Sequence, residues 1–466
     1  NGGGGSHARA TRPLRPVPRP GPRAAAPGPH RPPRRARPPP HRLQPLTLPF
    51  PSHPHLPPGR ESTKDCGPEQ FPTFIHAFGA LREPILAWAR SQSNPVVAVI
   101  ADFFCGWAQP LAADLGIAGF VFSPSGVLGT AVPHSTFRRL VKRPAGSNDD
   151  EFRIKFPAIP GEPAFQWREN LMMYRNYMEG RLDEQIGESI RQNFLWNLES
   201  RGFVSNTLRA LEGRYLDSPL EDLGFKHIWA VGPTPPSRAA GRRLSWLDAF
   251  PEGSVVYISF GSQAVLTPAV ATALAEALER TAVPFVWVVG AGNDGVVPEG
   301  FEARAAAARR GTVVRGWAPQ VAALRHPAVG WFVTHCGWNS TLEAVAAGVP
   351  MLAWPMTGDQ FVNARLLVDE ARVAVRACKG GVGVVPDAGE LAAVVAGAVG
   401  EKGRGVSERA KELAAEAARA VKKGGSSYAD LEEFAKEIRK LLYPDKLRST
   451  VPITRSPPRH TAVLSS

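Results

Sequence analysis

The chain has 466 residues, 43% of them hydrophobic, and a formal net charge of +13. That length supports two ordinary domains with sizeable cores and makes a single domain the poorer reading. The charge raises nucleic-acid binding, and its distribution argues against it: residues 1–60 hold eleven Arg and no Lys, Asp or Glu, and 446–466 add Lys446, Arg448, Arg455 and Arg459 without an acid, leaving 61–445 at −2, whereas a base reader carries its charge on a folded face.

Residues 1–43 are Gly, Pro, Ala and Arg in shuffled order, cannot build a core, and are expected to be disordered. Leu46–Phe50 reads as a short strand-like run, followed by a Pro/His loop in which His53 and His55 have no partner ligands. Phe74, Phe78, Leu81, Ile85 and Trp88 share one helical face and predict a helix over 71–90. An apolar strand over 96–101, with Asp102 just past its end, a helix near 106–115 and a strand at 119–123 follow. This alternation signals a parallel sheet covered by helices, whose ligands gather at the carboxyl ends of strands. Between 130 and 200 the pattern loosens, with a turn at 156–161 and a helix over 182–198; strands at 203–206 and 227–231 finish a first domain taken as 44–233. The Pro/Gly-rich run after Gly232 breaks the pattern, and 234–252 is read as linker.

A second domain, 253–442, restarts the same alternation. Strands are predicted at 254–260, 285–289, 312–315, 332–335, 351–354 and 373–376, with a helix over 268–280. Two closing helices, 407–422 and 427–442, are separated by Gly424-Gly425, with Ser426 as the expected N-cap, and the last is free to pack back on the first domain. Residues 443–466 are expected to be a disordered tail. Four cysteines (Cys66, Cys105, Cys336, Cys378) form no C-x-x-C pair, which argues against a zinc site or disulfide framework and for a reducing compartment. No apolar run approaches the ~18 residues of a membrane span, and the expectation is a soluble cytoplasmic protein with no membrane partner.

Gly290-Ala-Gly-Asn-Asp-Gly295 fits G-x-G-x-x-G after a strand, but Val296-Val-Pro-Glu follows where a dinucleotide fingerprint must open a helix, so a surface loop is preferred. The informative stretch is Trp317 to Gln360. A strand over Phe332 to His335 runs through a turn at Gly337 into a helix starting near Ser340, aiming backbone N–H groups and the positive helix end at one spot, as phosphate requires. Around it stand an indole able to stack on a base (Trp317), a carboxylate for ribose hydroxyls (Glu343), and an acid and amide for sugar hydroxyls (Asp359, Gln360). His335 and Cys336 make no nucleophile pair, because neighbours on a strand face opposite ways. Cys336 reads as a buried apolar residue, and His335 as a donor to a diphosphate or, alternatively, a structural histidine.

With Trp-Ala-Pro-Gln-Val, Phe-Val-Thr-His-Cys-Gly-Trp-Asn-Ser and Trp-Pro-Met-Thr-Gly-Asp-Gln, this stretch resembles the signature box of the plant secondary-product UDP-glycosyltransferases. The order of elements from Leu46 to Leu442, with Ala101-Asp-Phe-Phe and Ser259-Phe-Gly-Ser262, is similar to that family as well. The resemblance implies an α/β fold of the GT-B type, two facing Rossmann-like domains with parallel sheets, the donor on the C-terminal domain and the acceptor on the N-terminal one. It implies that Trp317 stacks on uracil, that Gln320 and Glu343 bind the ribose, and that Ser262, His335, Asn339, Ser340 and the backbone near Trp338 hold the diphosphate. Asp359 and Gln360 would fix the sugar, Gln360 leaning toward glucose. The implied reaction is inverting transfer from a UDP-sugar co-substrate to a hydroxyl of a small hydrophobic acceptor, such as a flavonoid or other phenolic, by a monomer without cofactor or metal. Phe103, Phe104, Phe122, Trp167 and Met172 to Met178 are candidates for an acceptor pocket and equally for core.

The family's base is a His in a loop after the first strand, tuned by an Asp that Asp102 matches. Here the sequence departs from the family. His7, His30 and His41 sit in Pro/Arg sequence that cannot form that strand, so the N-terminal domain is expected to lack its normal first strand-helix-strand and the base. The composition of that segment is what GC-rich DNA gives when read out of frame. A catalytically impaired UDP-sugar binder is therefore the alternative reading.

Overall fold

Short apolar runs with β-branched residues form strands wherever a helix can cover each face, and this chain builds two sheets that way. The computed structural model describes residues 46–59, 67–147, 151–234, 246–290, 295–442 and 462–464. Residues 1–48 form one unit, of which Leu46–Leu48 are described and contain no strand, unlike the strand-like run expected there. The segment expected to be disordered at 1–43, with His7, His30 and His41, lies outside the described residues, as do 235–245 of the expected linker and 291–294 of the glycine-rich loop.

In the second unit, 49–466, the strands are β1 (Ala98–Asp102), β2 (Ala118–Ser123), β3 (Arg153–Lys155), β4 (Ala164–Gln166), β5 (Gly202–Ser205), β6 (His227–Ala230), β7 (Val255–Ser259), β8 (Phe285–Val289), β9 (Gly311–Arg315), β10 (Val329–Thr334), β11 (Met351–Ala353), β12 (Ala374–Arg376) and β13 (Ala462–Leu464). The first sheet has the order β13-β1-β2-β5-β6 and the second β12-β11-β10-β7-β8-β9, with every pairing parallel; β3 and β4 form a separate antiparallel pair. All five residues of β7 and of β8 are buried, as strands covered on both faces must be.

Several elements differ from the sequence reading. The expected helix over 71–90 is two helices, Phe71–Phe78 and Arg82–Ser91, joined by a tight turn at Gly79–Leu81. The helix Val127–Arg139 was not foreseen: every residue from Val127 to Phe137 is buried, so it has no polar face to create a helical period. Ser426 is the first residue of the closing helix Ser426–Leu442 rather than its cap. Within the segment expected to be a disordered tail, Ala462–Leu464 form β13, beside Val99, Ile100 and Ala101 of β1. The physical reason is the edge of β1 turned away from β2, whose backbone N–H and C=O groups need partners that a short extended apolar run supplies.

The two sheets face each other through their carboxyl ends. Trp338 Nε1, just after β10, donates to the Asn206 carbonyl just after β5 at 2.8 Å. Ser125 Oγ, after β2, donates to Asp359 Oδ2 at 3.0 Å, and the Tyr215 hydroxyl donates to Glu370 at 2.7 Å. The helix Ser426–Leu442 returns to the first sheet: Phe434 packs on Phe120 and Trp229 with ring centroids 5.2 and 5.1 Å apart, and Asp430 Oδ2 accepts from the Ala230 N–H at 2.9 Å. Truncating a buried phenylalanine leaves a cavity. Phe434→Ala should therefore lower unfolding stability by roughly 3 kcal/mol, read by chemical denaturation; a change below about 0.5 kcal/mol would mean that this helix adds little to the first domain.

Candidate functional site

At the end of β10 the chain turns sharply into the helix Trp338–Ala347, two residues earlier than the sequence suggested. The left-handed residue of that turn is Cys336, with φ 63°, and not Gly337, whose φ is −61° and which is the helix N-cap. A non-glycine residue is costly there. Two bonds hold it: the Cys336 N–H donates to Thr334 Oγ1 at 3.2 Å, and its carbonyl accepts from Asn363 Nδ2 at 3.0 Å. Gly337 has no side chain with which to cap the helix, so the first-turn N–H groups stay open toward the cleft, the arrangement that suits an anion.

His335 stands directly before this turn. Its ring fills the space over Gly261 and Gly337; a Cβ on Gly261 would lie 2.8 Å from Cε1 of the ring, and one on Gly337 would collide with Nε2. Its Nδ1 is buried without a hydrogen-bond partner among the described residues, and burial pushes the imidazole down to about 4, so the ring is neutral. The charge-assisted donor expected from the sequence is thus an uncharged N–H donor. Ser262, exposed, follows Gly261 at the carboxyl end of β7.

Three of the predicted residues meet: Gln320 Nε2 donates to Ser340 Oγ at 2.9 Å and to Glu343 Oε2 at 2.8 Å. Burial raises the Glu343 carboxyl, and the Gln320 bond partly offsets this. Trp317 is 70% exposed, unusual for an indole and suited to a stacking partner. Asn339 is exposed on the helix face that bears Glu343. Asp359 Oδ2 accepts from Ser125 Oγ and from Asn363 Nδ2 at 3.2 Å, while burial raises its carboxyl. Gln360 commits Oε1 to the N–H groups of Met356 (3.0 Å) and Thr357 (3.1 Å), which leaves its Nε2 as the donor for a ligand. Trp338 opens the helix, which puts its backbone beside the turn as expected, and its buried indole is in addition a strut to Asn206 in the other domain.

Asp102 lies on the opposite sheet, at the end of β1, with Oδ1 accepting from the Phe104 N–H at 2.9 Å. Of the acceptor-pocket candidates, Phe103, Trp167 and Met173 belong to the core, while Phe104 and Phe122 are half-buried. His53 and His55 lie in a loop as expected, and the His53 ring packs on His55 and His76 at 5.4 and 5.3 Å. Sequence reasoning missed Ser125, Asn206 and Asn363. Ser125 and Asn206 follow β2 and β5, so the rule that ligands gather at carboxyl strand ends was the available signal.

The family model for UDP-glucoronosyl and UDP-glucosyl transferases matches residues 242–379. Flavonol 3-O-glucosyltransferase UGT89B1 of Arabidopsis thaliana is 42% identical over 414 residues, 85% of this chain and 84% of that protein. The chain belongs to the UDP-glycosyltransferase family. UDP-glycosyltransferase 89B2 of Stevia rebaudiana is 43% identical over 83% of this chain and 84% of its own length. Among solved structures, Arabidopsis thaliana UGT89C1 with UDP-L-rhamnose superposes with a TM-score of 0.65 at 31% identity, covering 84% of this chain and 85% of that one. The two facing parallel sheets are the GT-B fold of this family, and the protein is a UDP-dependent glycosyltransferase. Among the described residues no helix is long and apolar enough to cross a membrane.

The buried imidazole of this glycosyltransferase has a consequence for pH. His335 binds its proton near 4 in the folded chain against an ordinary 6.5, so its contribution to stability is whole above 6.5 and is lost as pH falls toward 4. Between pH 7.5 and 4.5 the wild type should lose roughly 2–3 kcal/mol more than His335→Gln, measured by urea denaturation. Equal losses would show that the ring charges freely in the folded site.

Proposed function

We propose that the chain binds a UDP-sugar in the second domain and that its reaction is inverting transfer of the sugar, with glucose the favoured donor, to a hydroxyl of a flavonoid or similar phenolic. The observation that carries this reading is the uncapped helix end at Gly337, with His335 on one side and the bonded trio Gln320, Ser340 and Glu343 on the other. In this reading uracil stacks on Trp317, the ribose hydroxyls donate to Glu343, and the diphosphate meets the first-turn N–H groups, Asn339, Ser262 and His335. Asp359 and the Gln360 amide meet the sugar. The charge that develops on departing UDP falls on the helix end and His335, so the reading requires no metal. The flavonol glucosyl- and rhamnosyltransferases among the relatives support a flavonoid acceptor.

A second reading is favoured by one observation. The edge of β1, the strand that presents Asp102, is filled by Ala462–Leu464, a segment without histidine. His134, which touches Phe103 beside Asp102, is fully buried and held by the Thr130 carbonyl and Asn197, so an acceptor hydroxyl has no route to it. On this reading the chain binds UDP-sugar and transfers slowly, because a positioned base contributes roughly 10²- to 10⁴-fold.

Trp317→Ala should weaken UDP binding by about 1–3 kcal/mol, the worth of a base stacked on an aromatic ring, in calorimetric titration. An unchanged affinity would remove uracil from that indole. Radiolabelled UDP-glucose with a flavonol panel separates the two readings: turnover comparable to intact relatives supports efficient catalysis, and tight UDP binding with turnover lower by the factor of a lost base supports the impaired form.

A further inference from the structure

Glu212, in the helix Arg209–Glu212 of the first domain, is buried to 1% exposure and has no cationic partner among the described residues. Burial raises the Glu212 carboxyl, and only surrounding donors offset that cost. Here three do. Oε2 accepts from the Val127 N–H at 2.8 Å and from the Thr207 hydroxyl at 2.5 Å, and Oε1 accepts from the Leu128 N–H at 3.0 Å. Val127 and Leu128 open the helix Val127–Arg139, so the carboxylate supplies from a distance the cap that the N-cap residue, Gly126, cannot.

Gly126 is where this clamp meets the second domain. A Cβ there would lie 2.5 Å from Glu212 Oε2 and 2.6 Å from the Trp338 indole, so only glycine lets the carboxylate, the turn and the indole converge. One residue earlier, Ser125 Oγ donates to Asp359, and the Ser125 carbonyl accepts from Ser205 Oγ at 3.0 Å. A continuous path therefore runs from Glu212 through the Ser125–Gly126 turn to Asp359, then through Asn363 to the carbonyl of Cys336. Gln320, Ser340 and Glu343, by contrast, are tied to one another within the second domain.

We infer that Glu212 is a positioning residue for the sugar end of the donor site, holding the Ser125–Gly126 turn so that Ser125 fixes the Asp359 carboxylate. This rests on the proposed assignment of Asp359 to the sugar. Glu212→Gln puts an NH₂ group where an oxygen accepted, leaving a buried N–H without its partner, and the turn loosens. Gln320, Ser340 and Glu343 have no hydrogen bond to this clamp among the described residues, and the helix end touches it only through Asn363 and Trp338, so the loss falls mainly on the sugar.

The test is calorimetric titration of the full chain with UDP and with UDP-glucose. For Glu212→Gln the UDP dissociation constant should stay within about twofold, while that for UDP-glucose rises about tenfold, the equivalent of one lost hydrogen bond to a charged group. Thr207→Val removes one donor to the carboxylate and leaves both backbone bonds, so it should show a smaller loss of the same selectivity even if Glu212→Gln does not fold. Ser125→Ala should reproduce the selective loss, and adding Glu212→Gln to it should cost nothing further. Equal weakening of both ligands in Thr207→Val, or a UDP-glucose affinity untouched by Ser125→Ala, would overturn the inference while leaving the proposed function standing. A wild-type chain that binds neither ligand would overturn both.

Discussion

The helix that follows β10 begins at a glycine, and the N–H groups this leaves without a cap are the constraint around which the cleft is built. A serine or aspartate at that position would close the helix on itself and add stability. Glycine instead keeps an electropositive, water-facing helix end at the point where the two sheets meet, and the other site residues are placed by reference to it. The left-handed Cys336 aims the helix, the Thr334 and Asn363 bonds hold that backbone, and the His335 ring occupies the space that two glycines leave. An uncharged imidazole gives no incentive for a carboxylate of the protein to occupy the cleft.

The proposed donor site is built on the second domain, and its geometry is completed from the first. Trp338 reaches Asn206, Asp359 receives Ser125, and Glu370 receives Tyr215. These are directed hydrogen bonds to largely buried groups, where a lost partner costs more than an average bond contributes. Such contacts fix one relative placement of the carboxyl strand ends. The closing helix adds a second tie, with Phe434 seated on the first sheet although the rest of the second domain precedes it in sequence. The two domains are thereby coupled on two sides of the cleft.

Much of the fold was legible because buried parallel strands and amphipathic helices leave strong patterns. Pro268–Arg280 and Phe285–Val289 have the bounds that their sequence indicates, the first marked by Thr267 and a proline at its start, the second by five consecutive apolar residues. The helix Val127–Arg139 was illegible for the converse reason, being buried all round. In the site, the strand, turn and helix placed Ser340 and Glu343 beside the helix end, while Gln320 was named only through the family resemblance. Spacing gave no access to Trp338 as a strut, to Cys336 rather than Gly337 as the left-handed residue, or to Glu212, whose partners Val127 and Leu128 lie 85 and 84 positions away in sequence. Contacts across domains leave no period in either domain. The strand Ala462–Leu464 was hidden in the same way, since its pairing depends on an open edge hundreds of residues earlier.

The central claim is that the uncapped helix end at Gly337 holds a diphosphate. The most direct measurement compares UDP with uridine in calorimetric titrations of the full chain at moderate salt. If the helix end and His335 bind the phosphates, UDP should be held at least about a hundredfold more tightly than uridine, or roughly 2.7 kcal/mol. Equal affinities would contradict the account, because nucleoside recognition at Trp317 and Glu343 would then be carrying all of the binding.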